Sequence, residues 1–193
     1  HVANVIRRLR RVANFYGADP QFICCSATIA NPRELAAQVT GLEVASVAEN
    51  GAPRGEKHFI FYNPPVVNHE LGIRQSVIKT TRRIAERFMS SGAQLIVFAR
   101  SRMRVELLLT YLEKSGRRVG IKSGEVRGYR GGYLPGERRA IESGLRDGSV
   151  TTVVSTNALE LGIDIGRLDV CIMAGYAGTV ASTWQQAGRA GRL

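Results

Sequence analysis

Residues 94–114 read QLIVFARSRMRVELLLTYLEK. Gln94 to Phe98 is an apolar run without polar alternation, the pattern of a strand buried on both faces. Arg102 to Lys114 has the helical period of an amphipathic segment. Between them Ser101 stands where a helix cap belongs, and Arg100 and Arg102 flank it. Arginines at a helix start add to the free backbone N–H groups gathered there, so this exit can form part of an anion site. A buried strand running straight into a helix is half of a βαβ unit, which favours a parallel sheet.

Outward from this unit the same alternation repeats. The spacing predicts a helix over Val2–Tyr16 stopped by Gly17, and a strand over Gln21–Cys25. Asn31-Pro32-Arg33-Glu34 sets a cap, a first-turn proline and a capping-box glutamate before a helix reaching Gly41. Strands follow at Val44–Val47 and His58–Tyr62, then a helix over Ile73–Ser90. Beyond Lys114 come a short strand near Val119, a helix over Pro135–Arg146, strands at Val150–Ser155 and Val170–Met173, and a helix over Val180–Gln186. The fold class is therefore α/β, a parallel sheet covered by helices on both faces. Its ligand crevice belongs beyond the carboxyl ends of the strands. ENGAPRGEK, residues 49–57, is either a linker or a hairpin-sized loop.

At 193 residues and 44% hydrophobic, the chain can bury a substantial core. Its 27 Lys+Arg against 16 Asp+Glu give a net charge of +11, which favours a polyanionic partner, nucleic acid first. Most of the positive residues are arginine, which suits bidentate phosphate contact and equally reflects codon bias. Cys24, Cys25 and Cys171 form no C-x-x-C, and His1, His58 and His69 lie at no metal-ligand spacing to them. They read as small buried hydrophobes of a reducing compartment, with no metal site. No apolar run is long enough to span a bilayer and no signal peptide is visible, so no membrane partner and a cytoplasmic location are expected.

Unusual residues collect after apolar runs. Ser26-Ala27-Thr28 leaves one run with two hydroxyls, which can bind phosphate, a carboxylate across a cleft, or their own turn backbone. VVSTNALELGIDIG, Val153 to Gly166, brings Ser155, Thr156 and Asn157 to a strand end. Glu160 and Asp164 then stand at helical spacing around Gly162. Such an acidic pair holds a sugar hydroxyl, pairs with a mobile arginine, or is a solvated turn. GEVRGYRGGYLPGERR, Gly124 to Arg139, mixes glycines, arginines, Tyr129 and Tyr133; it suits a nucleic-acid strand or is a glycine-rich surface loop. WQQAGRAGRL, Trp184 to Leu193, sets Arg189 and Arg192 three apart, each after a glycine, fit for phosphate or merely a solvated basic end. No G-x-x-x-x-G-K-[ST] loop occurs and no Asp-Glu pair ends a strand, so nothing in the sequence cradles a triphosphate alone.

In order, these segments resemble the second half of a superfamily 2 helicase. Ser26–Thr28 is similar to motif III, LIVFARSR to motif IV, STNALELGIDIG to motif V and QQAGRAGR to motif VI. The wording SATIANP with TNALELGIDIG and WQQAGRAGR more particularly resembles one branch, the bacterial YprA/MrfA-type DEAD/DEAH-like DNA helicases and their eukaryotic RecQ-like relatives. The resemblance implies RecA-like lobes with ATP and Mg2+ between them, single-stranded or partly duplex DNA as partner, 3′ to 5′ translocation and a place in DNA repair. It divides the chain into the tail of the first lobe (1–45), a linker (46–57) and the second lobe (58–193), with the Walker A and B segments expected before His1. Arg189 and Arg192 would be arginine fingers for the γ-phosphate, with Gln185 lining the same cleft. Gly162, Asp164 and Glu160 would lie on the nucleotide side. Arg100, Ser155, Thr156, Asn157 and Arg130 would hold the nucleic-acid backbone, and Ser26 and Thr28 would couple the lobes. Two other readings stay open: an RNA-directed ATPase lobe, since motifs III to VI barely separate RNA from DNA, and a RecA-like module that grips nucleic acid without catalysis.

Overall fold

In the computed structural model, Leu95–Phe98 is a strand in which no residue is more than 3% exposed. Residues 1–26, 29–49, 51, 56–160, 165–166 and 168–191 are described, in two compact units, His1–Ala52 and Pro53–Leu193. Thr28, Gly162, Asp164 and Arg192, together with most of the 49–57 stretch, lie outside the described residues.

In the first unit α1 (Val2–Phe15) and α2 (Pro32–Thr40) form where their periods and breakers place them. Gly41, at φ 70°, ends α2 in the left-handed region that glycine enters without penalty. Arg10 Nη1 donates to the carbonyls of Thr40 and Gly41 at 3.2 and 3.4 Å, setting a cation on the negative end of α2. The capping box takes another form than expected. Asn31 caps no backbone N–H; its amide donates to the Glu34 carboxylate at 3.0 Å. Gln21–Cys25 and Val44–Val47 are not strands, because neither has a ladder partner among the described residues. Without a sheet to cover them Cys24 and Cys25 are exposed, which corrects their reading as buried hydrophobes.

The second unit opens on a hairpin, β1 (Val66–Asn68) with β2 (Ile73–Arg74). Asn68 Oδ1 accepts from the N–H of Leu71 at 2.8 Å and Gly72 turns at φ 62°, so Ile73 and Arg74 join a ladder. Hence α3 spans Val77–Ser90 and starts later than the period implied. There follow β3 (Leu95–Phe98), α4 (Arg102–Arg118), β4 (Val126–Tyr129), α5 (Pro135–Asp147) and β5 (Thr152–Ser155). A single 3-10 turn (Asn157–Leu159), β6 (Val170–Met173) and α6 (Val180–Ala187) complete it. The four long strands are parallel in the order β4-β5-β3-β6. Alternate residues of β3 feed two cores. Leu95 and Val97 pack with Leu108 and Leu112 of α4, while Ile96 and Phe98 pack with Ile141 and Leu145 of α5. This is the RecA-like arrangement, with helices on both faces.

Two expected strands shift. His58–Tyr62 forms none; Phe59 instead meets the ring of Trp184 at 5.6 Å and that of Phe61 at 4.9 Å. Val119 caps α4, and the strand expected near it lies at Val126–Tyr129, inside the stretch that also reads as a glycine-rich loop. Burial decides this, since Val126 and Tyr129 are 4% and 1% exposed. Gly128 is there for packing: a Cβ would meet the Tyr133 hydroxyl at 2.8 Å and Leu109 Cδ2 at 3.0 Å.

Candidate nucleotide and nucleic-acid interface

The parallel register aligns the strand exits. Phe98 lies opposite both Ser155 and Met173. The ladder continues past them, with the N–H groups of Ala99, Thr156 and Ala174 donating to the carbonyls of Ser155, Tyr129 and Phe98 at 2.8, 3.3 and 2.9 Å. Arg100, Arg130, Thr156 and Asn157 therefore leave the sheet at one edge, on neighbouring strands.

Their side chains differ in availability. Arg100 and Asn157 are exposed. Ser101 Oγ accepts from the N–H of Arg104 at 3.3 Å and caps α4, leaving the other N–H groups of that first turn toward the same edge. Half-buried Thr156 caps the 3-10 turn, its Oγ1 accepting from Ala158. Ser155 is corrected: it is fully buried and its hydroxyl donates to the Thr156 carbonyl at 2.8 Å, so it faces no strand of nucleic acid. Arg130 is engaged within the unit. Its Nε donates to the Glu106 carboxylate at 2.7 Å, which raises its pKa, and its guanidinium lies 4.8 Å over the Tyr133 ring. Burial raises the Tyr133 hydroxyl as well, and takes Tyr129, which donates to Glu142 at 2.7 Å, up to about 12.

A second group forms where α6 ends. Thr179 Oγ1 accepts from the N–H of Ser182 at 3.0 Å and starts the helix. Gln185 is half-buried; Gln186 and Arg189 are each 6% exposed. The Gln186 amide donates to the Glu160 carboxylate at 3.0 Å. Arg189 donates from Nε and Nη2 to the Glu160 carbonyl at 3.2 and 2.6 Å. Glu160, expected on the nucleotide side, is itself 6% exposed and binds these two residues of its own unit. Lys57 Nζ donates to the Ala187 carbonyl at 3.4 Å, and the Gly191 N–H to Leu168 at 2.9 Å. Cys171, on β6, donates to the Gln186 carbonyl at 3.2 Å, and burial pushes its thiol up to about 12 against the pull of Lys57. Ser26 is exposed in the first unit.

Sequence reasoning fixed on Gln185 and passed over Gln186. The signal is the helical phase: Thr183, Gln186, Ala187 and Ala190 stand at i, i+3, i+4 and i+7, the first half-buried and the other three buried. Among the described residues no cluster of His, Cys, Asp or Glu could hold a metal, and no helix is long and apolar enough to cross a membrane.

A RecA-like sheet whose strand exits carry short polar and cationic residues defines a helicase lobe. Residues 77–193 match the helicase conserved C-terminal domain, and the chain belongs to that family. Over its whole length it is 61% identical to the ATP-dependent helicase YprA of Bacillus subtilis (strain 168) and 40% identical to the ATP-dependent helicase HRQ1 of Saccharomyces cerevisiae. It spans 26% and 18% of those relatives. The crystal structure of the DUF1998 helicase MrfA bound to DNA is similar at TM-score 0.91 and 59% identity, covering 100% of this chain and 26% of that one. With DNA and AMPPNP bound, MrfA is similar at TM-score 0.88 over 98% of this chain and 26% of that one.

Proposed function

We propose that the chain is the C-terminal motor lobe of a longer ATP-dependent DNA helicase that translocates 3′ to 5′. The observation that carries this reading is one turn with two duties. Thr156 and Asn157 open the turn after β5 at the sheet edge, and Glu160, in the same turn, holds Arg189. Nucleic acid at the first position is thereby linked to an arginine suited to a phosphate. The likeness to MrfA bound to DNA and AMPPNP supports both ligands.

Arg100, Asn157 and the N–H groups at the start of α4 are the backbone grip. Thr156 acts through its turn, and Arg130 joins on release from Glu106. Arg189 and Arg192 meet charge developing at the γ-phosphate, with Gln185 beside them, which is where planar guanidinium forks lower a phosphoryl-transfer barrier. The donor set fits a triphosphate edge. Mg2+ would be held by carboxylates elsewhere in the helicase, and Gly162 and Asp164 would lie on the nucleotide side. Ser26 and Thr28 would couple the lobes.

Steady-state ATP hydrolysis with single-stranded DNA tests the reading. The chain alone is expected to show no DNA-stimulated turnover, and the longer helicase to lose most of its kcat on Arg192→Ala with DNA affinity retained. Turnover by the repurified chain that disappears in Arg189→Ala would overturn the first expectation. Arginine variants that lose DNA binding while keeping DNA-saturated kcat would show that these residues grip the strand. Stimulation by RNA alone would make it an RNA-directed ATPase, and no turnover in any form a binding module.

A further inference from the structure

We infer that Gln186 is a positioning residue that sets Arg189 by anchoring Glu160, an inference that rests on the reading of Arg189 given above. Glu160 is a carboxylate buried to 6% exposure, where an ionised group needs hydrogen-bond donors. The Gln186 amide supplies one at 3.0 Å. The backbone carbonyl of the same Glu160 accepts both the Nε and the Nη2 of Arg189. Anchoring the side chain fixes the residue, and fixing the residue aims the carbonyl that holds the guanidinium.

Gln186 also acts through its own backbone. Its carbonyl accepts the N–H of Arg189 at 3.0 Å, closing the turn after α6, and the Cys171 thiol of β6 at 3.2 Å. Strand β6, the turn after β5 and the arginine turn thus converge on one side chain and its peptide. The side chain is buried and donates to Glu160, so its influence passes through Arg189.

The chemistry requires an amide at this point. A carboxylate at position 186 would face the Glu160 carboxylate at bonding distance, and like charges so close cannot both stay ionised. An apolar side chain would leave Glu160 without its amide donor in a buried site.

The test uses the longer helicase, with ATP turnover, KM for ATP, single-stranded DNA affinity and Tm measured together, well below Tm. Gln186→Glu is expected to lower kcat about a hundredfold, the scale on which small misplacements cost rate, with KM and DNA affinity little changed. The exchange variant Glu160→Gln/Gln186→Glu, in which amide and carboxylate trade places, should recover most of the loss. A stability role alone would shift Tm without dividing kcat from KM. Should Gln186→Glu fail to fold, Gln186→Met, which keeps the length and loses the donor, is read the same way. Full kcat in the folded Gln186 variant, or an exchange variant that folds without recovering, overturns the inference. Arg189→Lys separates this from failure of the underlying reading. If Arg189→Lys loses kcat while the Gln186 variants keep it, only Gln186 is misassigned. If Arg189→Lys keeps kcat, the reading of Arg189 falls and this inference with it.

Discussion

Gly144, in the last turns of α5, sets two ordinary effects against each other. Glycine inside a helix costs about 1 kcal/mol relative to alanine, so Gly144→Ala would normally stabilise. A Cβ there would stand 2.6 Å from Val150 Cγ2 and 3.0 Å from Ser149 Oγ. Val150 is 4% exposed, and its branched side chain cannot swing aside. Overpacking of this kind costs about 1–3 kcal/mol, so the clash prevails. Gly144→Ala should therefore lower the urea midpoint of unfolding without changing the slope; a raised midpoint would mean that α5 slides to admit the methyl group. At this same scale the sequence was least legible. Nothing in the order of letters says that Ser155 turns inward while Asn157, two residues on, is exposed, or that Arg130 folds onto Glu106. Those outcomes depend on a partner 24 residues away for Arg130, and for Ser155 on its place in a strand buried along its whole length.

Elements were more legible because period and punctuation are local. Helices α1, α2, α4, α5 and α6 fall where apolar spacing and capping residues place them, and β3, β5 and β6 where apolar runs do. The strands that moved have pairing that is not local. Gln21–Cys25 has the composition of a strand and no ladder among the described residues, while Val126–Tyr129, inside a glycine-rich stretch, gains one beside β5. The candidate site follows the same rule. Its location at the strand exits was legible from alternation, and the Glu160–Gln186 contact, 26 residues apart, was not. Helix α6 gives this scale its prediction. Its N-terminus relies on Thr179, whose hydroxyl accepts from Ser182. Thr179→Ala should cost about 1 kcal/mol, whereas Thr179→Ser, which keeps the accepting oxygen, should cost nothing, read as Tm. Equal losses for both would show that the methyl group of Thr179, and not its oxygen, fixes the helix start.

At the scale of the whole molecule, charge decides. With +11 spread over 193 residues, a polyanion such as single-stranded DNA should be attracted before any specific contact forms. Counterion release then sets the affinity: log K should fall with log salt at about −0.7 per neutralised phosphate, or about −2 to −3 for three or four contacts. Arg100→Ala should reduce that slope by about one contact's worth, whereas substitution of an equally exposed arginine of α1, such as Arg7, should leave it unchanged. Titration at several salt concentrations measures both. Equal changes for the two variants would reduce the grip at the strand exits to diffuse attraction.

Lys57 and Gly191 touch: a Cβ on the glycine would come 2.9 Å from the lysine Cε. The Lys57 side chain thus bridges two described residues 134 positions apart in the second unit. A circularly permuted unit, with residue 191 joined to residue 57 through a short glycine-serine link and the chain opened at the exposed turn after Gly148, should keep its parallel sheet and unfold in one cooperative step. Loss of the cooperative transition would reveal that the order of synthesis, and not the finished contacts alone, holds this lobe together.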